Sequence, residues 1–133
     1  MDALPLRLSP GDDLRAGVEA ALQGRAGYLL QGIGSLSVAR LRYAGQPEPA
    51  ELRGDFEILT VAGSVSPDGA HLHMSVSDAD GRVYGGHVAD GCIVRTTAEL
   101  LLVLLPAHDF AREHDPATGF TELVVRPRNS GGR

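Results

Sequence analysis

Three of the chain's five histidines, His71, His73 and His87, stand in one short stretch and are the residues best placed to do chemistry. His71 and His73 are two apart, so on a β-strand both side chains leave the same face. His87 follows the turn-forming sequence Asp78-Ala79-Asp80-Gly81. A type I turn with Gly81 in the left-handed bulge position makes a hairpin loop of residues 79–81, which sets His87 directly across from His73. Facing residues on paired strands carry Cβ atoms roughly 5 Å apart on one face. Three neutral imidazoles at that spacing can close on one divalent ion, zinc first among the candidates, with bonds of about 2.0–2.1 Å. A fourth position left open is what catalytic zinc uses to activate water or polarise a carbonyl. Two other readings stay open on the sequence alone: polar residues on a solvated face, or histidines paired at an oligomer interface. Register decides, because a slip of one residue sends His87 to the opposite face.

Other candidates carry less. Glu99 is a carboxylate inside an apolar segment and a candidate proton-transfer residue facing the metal; structural pairing with Arg95 competes with that role. Ser75 and Ser77 continue the face of His73, but no acid orients a histidine beside them and no nucleophile elbow surrounds them. Gly32-Ile33-Gly34 lacks the third glycine of a phosphate loop and reads as a bend or a close backbone approach. Gly85-Gly86 reads as room for another chain beside the His87 strand. Cys92 lies in an apolar stretch and is expected to be a buried structural thiol. His108 and His114 fall in a polar segment expected to face water, with a fourth ligand bridging subunits as the alternative.

The elements that must position these groups are mostly strands. Residues 1–8 alternate apolar and polar side chains and read as a first strand. Ser9-Pro10-Gly11-Asp12-Asp13 is a helix entry, with acids at the positive helix end. Leu14, Val18, Ala21 and Leu22 follow at helical spacing, so a helix is expected over 12–23, ended by Gly24. Strands are expected over 26–33, broken at the glycines, and over 37–43 and 56–65. Ser66-Pro67-Asp68-Gly69 then turns into the histidine strand. Residues 92–105 form the longest apolar segment, and Ile93, Val94, Thr96 and Thr97 favour a central strand in its first half. A polar loop is expected from Pro106 to Gly119, then a last strand over 120–125. The expected fold class is α+β: one N-terminal helix packed on a mostly antiparallel sheet, in a single domain over 1–126 with a flexible tail over 127–133.

Composition narrows the function classes. At 133 residues with 43% hydrophobic and 22% charged content, the chain suits one soluble globular domain. No run approaches the ~20 apolar residues of a membrane span, and the opening lacks a signal pattern. With one cysteine no intramolecular disulfide forms, and the cytoplasm is the expected location. All twelve basic residues are arginine against seventeen acids, giving a net charge of −5. Proteins that grip nucleic acid usually show a basic face or tail, whereas these arginines are scattered. Arg40 and Arg42 share one strand face; Arg126, Arg128 and Arg133 lie near the C-terminus.

The order of motifs carries a resemblance. Gly32-Ile33-Gly34 is followed by Gly54-Asp55-Phe56-Glu57-Ile58-Leu59, then Ser66-Pro67-Asp68-Gly69 and His71-Leu72-His73. Asp80-Gly81-Arg82-Val83-Tyr84-Gly85-Gly86-His87 and Thr97-Ala98-Glu99 complete the series. This series resembles the PPC domain (plants and prokaryotes conserved) over residues 6–125, nearly the whole chain. The resemblance implies a compact domain that assembles as a homotrimer and acts as a DNA-binding or regulatory module. Plant relatives grip DNA through an Arg-Gly-Arg-Pro element, which this sequence lacks. Their partner-binding Gly-Arg-Phe-Glu-Ile-Leu segment matches residues 54–59, with Asp55 in place of the arginine; Phe56, Ile58 and Leu59 are expected instead as a trimer interface strand. The fold is also similar to acetolactate decarboxylase, whose His-x-His pair and third histidine match His71, His73 and His87. That likeness implies a small zinc enzyme acting on a small molecule as the alternative function, with a purely structural ion as the third.

Overall fold

The computed structural model describes residues 1–129. Eight strands and one helix follow in the order β1 (Asp2–Leu8), α1 (Leu14–Leu22), β2 (Gly27–Arg42), β3 (Ala50–Ser66), β4 (Gly69–Ser77), β5 (Val83–Val88), β6 (Ile93–Leu104), β7 (His108–Asp115) and β8 (Phe120–Pro127). The first six strands make one sheet in the order β1-β6-β2-β3-β4-β5, and its pairs are antiparallel. β5 then returns to the far end of β2, pairing Val88 with Leu41 and His87 with Arg42, so the sheet curls on itself. Two strands of 16 and 17 residues, β2 and β3, span this curl. Their ladder shifts register between Leu36 and Val38, and β3 shifts against β4 between Ile58 and Thr60; such bulges bend and twist a strand locally.

The interior of the curl is apolar. Leu29, Leu36, Leu41, Val61, Leu72, Val76, Val94 and Leu102 are all essentially inaccessible there. α1 closes one end with Leu14, Val18 and Leu22, spaced four apart so that one face enters the core. The helix is shorter than the 12–23 expected because Asp13 is its N-cap. That residue has extended backbone, and its carboxylate accepts the Ala16 N–H at 3.0 Å. Its other oxygen accepts the Gly91 N–H at 2.7 Å, which ties the helix start to the β5–β6 turn. Gln23, in the left-handed region, is the C-cap just before Gly24.

The fold is therefore β-rich, and the α+β expectation is overturned: among the described residues, nine helical residues stand against eight strands. Two features of the structure account for the difference. The glycines at 32 and 34 do not break a strand; β2 runs through them unbroken. A Cβ at Gly34 would lie 2.5 Å from the Thr97 carbonyl oxygen, so the missing side chain lets β6 lie close alongside. The polar segment after Pro106 is not a loop. Its residues 108–115 form β7, which pairs with β8 in a separate two-stranded ribbon from His108 opposite Pro127 to Asp115 opposite Phe120. Of the tail read over 127–133, Pro127 ends β8 and the Arg128 N–H donates to the Ala107 carbonyl at 2.8 Å. Residues 130–133 lie outside the described residues. Phe56 and Ile58, read as interface residues, are buried in the chain's own core, while Leu59 is exposed.

Candidate metal centre

β4 shows why the histidines share a face. Ala70, Leu72, Met74 and Val76 alternate into the core, which leaves His71, His73, Ser75 and Ser77 on the other side. The β4–β5 turn has the expected form: Gly81 is left-handed at φ 82°, its N–H donates to Asp78 O at 3.0 Å, and the Asp78 N–H donates to Arg82 O at 2.9 Å. The Asp78 carboxylate tightens the loop by accepting the Asp80 and Arg82 N–H groups, both at 2.9 Å. This loop sets His87 directly opposite His73.

The three rings form one cluster. Centroids are 4.4 Å apart for His73 and His87, 5.0 Å for His71 and His73, and 5.3 Å for His71 and His87. One ring nitrogen from each lies within 4.8 Å of the others. A tetrahedral ion with bonds of about 2.0–2.1 Å holds its ligand nitrogens about 3.3 Å apart, so small ring rotations close the gap. The cluster can hold a metal ion.

Electrostatics keep the rings ready for one. Burial is the main cause that holds His71 down at about 4, followed by the positive charge of Arg112 and the other two histidines. His87 is lowered chiefly by burial, then by Arg42 and His73. Both rings are thus neutral near pH 7, the form in which imidazole offers a lone pair. Arg112 comes from β7. Its Nη1 lies 3.2 Å from His71 Nδ1, its Nη2 donates to the Thr121 carbonyl at 2.8 Å, and its backbone N–H donates to Asp68 Oδ2 at 2.8 Å. An arginine only donates, so His71 Nδ1 accepts and the ring proton sits on Nε2. Ligation through either nitrogen of a neutral His71 breaks this contact: at Nδ1 the ion takes the lone pair itself, and at Nε2 the ring proton moves to Nδ1.

Beside His71 and His87 lies a cavity of about 260 Å³, also bordered by Arg15, Arg42, Asp68 and Arg112. Arg42 is brought there by the β2–β5 closure, with a Cβ at Gly86 lying only 2.7 Å from the Arg42 carbonyl oxygen. Of the room at Gly85-Gly86, read as space for another chain, Gly86 admits β2 of the same chain, while Gly85 faces β4.

The remaining sequence candidates stand apart. Glu99 is exposed on β6, with β2 and β3 between it and the histidine strand; its cross-strand neighbours are Arg7 and Ile33. Arg95 pairs with Asp55 at 3.2 Å rather than with Glu99. His108 and His114 are exposed on β7 and outside the cluster. Cys92 is buried, exchanges hydrogen bonds with the Arg40 backbone at 3.3 Å, and has its thiol pushed up to about 11 by burial, so it is no nucleophile. Sequence reading missed Arg112 and the role of Arg42. A usable signal existed for the first: Asp115-Pro116-Ala117-Thr118-Gly119 is turn chemistry, with Asp115 Oδ1 accepting the Ala117 N–H at 2.8 Å.

Known proteins share this architecture. The Plants and Prokaryotes Conserved (PCC) domain model matches residues 1–106. A bifunctional protein GlmU from Synechococcus sp. (strain JA-2-3B'a(2-13)) is 46% identical over 126 residues, covering 92% of the chain and 20% of that protein. The chain therefore spans about a fifth of the length of the curated relatives it matches. A hypothetical protein from Salmonella cholerae-suis has the same fold at 39% identity and a TM-score of 0.92, covering 96% of this chain and 94% of that one. The metal-containing protein AF0104 from Archaeoglobus fulgidus follows at 28% identity and a TM-score of 0.78, covering 93% and 94%. A candidate DNA-binding protein from Bacteroides thetaiotaomicron shares the fold at 19% identity and a TM-score of 0.80, covering 92% and 91%.

Proposed function

The chain belongs to the Plants and Prokaryotes Conserved domain family, and from that premise we propose that it is a metal-holding module whose ligands are His71, His73 and His87. The observation that carries this reading is the approach of three imidazole nitrogens, one per ring, to within 4.8 Å of one another. Two of the rings are kept neutral by burial and nearby arginine. The metal-containing relative from Archaeoglobus fulgidus supports it. An all-imidazole donor set favours zinc over calcium or magnesium, which take oxygen ligands. Bound there, zinc would supply Lewis acidity at an open coordination position. The small-enzyme alternative rests on that chemistry and on the resemblance to acetolactate decarboxylase. Elemental analysis of the purified protein beside the His71→Ala/His73→Ala variant tests the reading. About one zinc per chain, lost in the variant, is the expected result; a metal-free wild type that takes up none on addition sinks it.

The second reading is a DNA-binding or regulatory homotrimer. Trimer formation draws support from Leu101, Ile33 and Leu59, which three adjacent strands, β6, β2 and β3, leave exposed. DNA binding draws on the shared fold and is opposed by charge. The net charge is −5, and Arg40, Arg53, Arg95 and Arg126 are each paired with a carboxylate. Retention of labelled duplex DNA at low salt, falling steeply at moderate salt, is the result this reading needs. No helix among the described residues is long and apolar enough to cross a membrane.

A further inference from the structure

We propose that the cavity beside His71 and His87 is a binding site for a small oxyanion, a carboxylate or phosphate group held by Arg42 and Arg112. The inference rests on the metal reading only in sharing those two histidines.

The charges around the cavity are unevenly matched. Arg15 is compensated by Glu19 at 3.4 Å and Asp90 at 3.9 Å. Arg42 and Arg112 have no such partner: among the described residues, neither has a carboxylate within ion-pair distance of its guanidinium. Arg42 Nη1 donates to the Gln46 carbonyl at 3.2 Å, and Arg112 holds the Thr121 carbonyl and His71 Nδ1. Asp68 is the acid on the cavity wall, and one of its oxygens is taken by the Arg112 backbone N–H. His71 and His87, which also line it, are imidazoles lowered from their ordinary value in part by these same arginines.

Composition does not account for this. The chain carries an excess of acids, and four arginines elsewhere, Arg40, Arg53, Arg95 and Arg126, are paired with them. Two cations left without an acidic partner in the lining of a concave site concentrate positive potential there. A guanidinium offers parallel N–H donors that match two oxygens of a carboxylate or phosphate. Size limits the occupant. At about 260 Å³ the cavity has room for a small carboxylate or phosphate and lies below the ~300–1,000 Å³ typical of sites for drug-sized ligands. Ligation of an ion by a neutral His71 would also release the Arg112 Nη1 donor from that ring, leaving one more N–H for the anion.

Isothermal titration of the whole chain with inorganic phosphate, and separately with succinate, tests this, with zinc content measured on each sample. Saturable binding of at least one anion is expected, weakened tenfold or more in Arg42→Gln and in Arg112→Gln. The preferred anion tells a phosphate source from a carboxylate source. Circular dichroism of each variant confirms that a lost heat is not lost fold. Zinc-loaded protein that binds neither anion overturns the oxyanion site while leaving the metal reading intact, as does equal affinity in a folded Arg42→Gln. Zinc-free protein that binds phosphate through both arginines upholds the oxyanion site and counts against the metal instead. Zinc-free protein that binds neither anion overturns the oxyanion site as well.

Discussion

The β4–β5 hairpin and the β7–β8 ribbon are both two-stranded antiparallel ladders joined by Asp- and Gly-containing turns, yet they are held in place by different physics. β4 alternates four residues into the core, Leu72 and Val76 among them at 1% and 0% exposure. Its partner strand closes onto β2. A register slip would expose that whole set, so the hairpin's geometry is enforced along its length. The ribbon has one buried residue among those described, Phe110, whose ring meets Tyr28 edge-on at 5.8 Å. Its other anchors are polar, the Arg112 contacts to Asp68 and His71. The histidine cluster therefore stands on a strand held by the core along its length, while Arg112 is carried by a ribbon anchored through one buried ring and polar contacts.

The largest effect should come from the hairpin. Leu72→Ala leaves a cavity among core side chains, and Leu-to-Ala changes of this kind cost about 2–5 kcal/mol. A single cooperative denaturation transition shifted by that amount is expected. A two-step transition would break the contrast, since it would make the hairpin a separate unit. Phe110→Ala removes a larger side chain but should move the denaturation midpoint less. The ribbon can open locally without exposing the sheet's core. Amide exchange should accelerate at least tenfold in β7 and β8, with β4 and β5 unchanged. Equal acceleration in both would erase the distinction.

The smallest effect is on pH dependence. His71 has an ordinary value of 6.5 and a folded value of about 4, with burial the leading cause and Arg112 the next. Between those values the unfolded chain binds a proton that the folded chain does not, so acidification favours unfolding. The stability that the neutral ring contributes is present above about pH 6.5 and lost as pH falls toward about 4. In Arg112→Gln one cause is removed, the His71 titration followed by NMR should move up, and the pH slope of stability should flatten. An unmoved titration would mean that the ribbon does not reach the ring in solution.

What was legible in the sequence follows the same division. The histidine cluster could be read directly, because it depends on period-two alternation in β4 and on the turn chemistry at residues 78–81. The full extent of the strands could not. Gly32 and Gly34 read as strand breakers because nothing in the local sequence shows that β6 lies against them. The polar residues around Phe110 hid a strand that has almost no apolar face to display.

The sequence by itself determined the turn at residues 78–81 and the alternation that puts His71 and His73 on one face, since each depends on residues a few positions apart; that turn sets His87 opposite His73. Tertiary structure alone decided that Arg42 would border His87 and that Arg112 would reach His71. Arg112 and His71 are 41 residues apart. Both meetings depend on closures across the fold, the return of β5 to β2 and the docking of the ribbon. Such contacts are selected by how the whole core packs, and no local pattern of residue types encodes them.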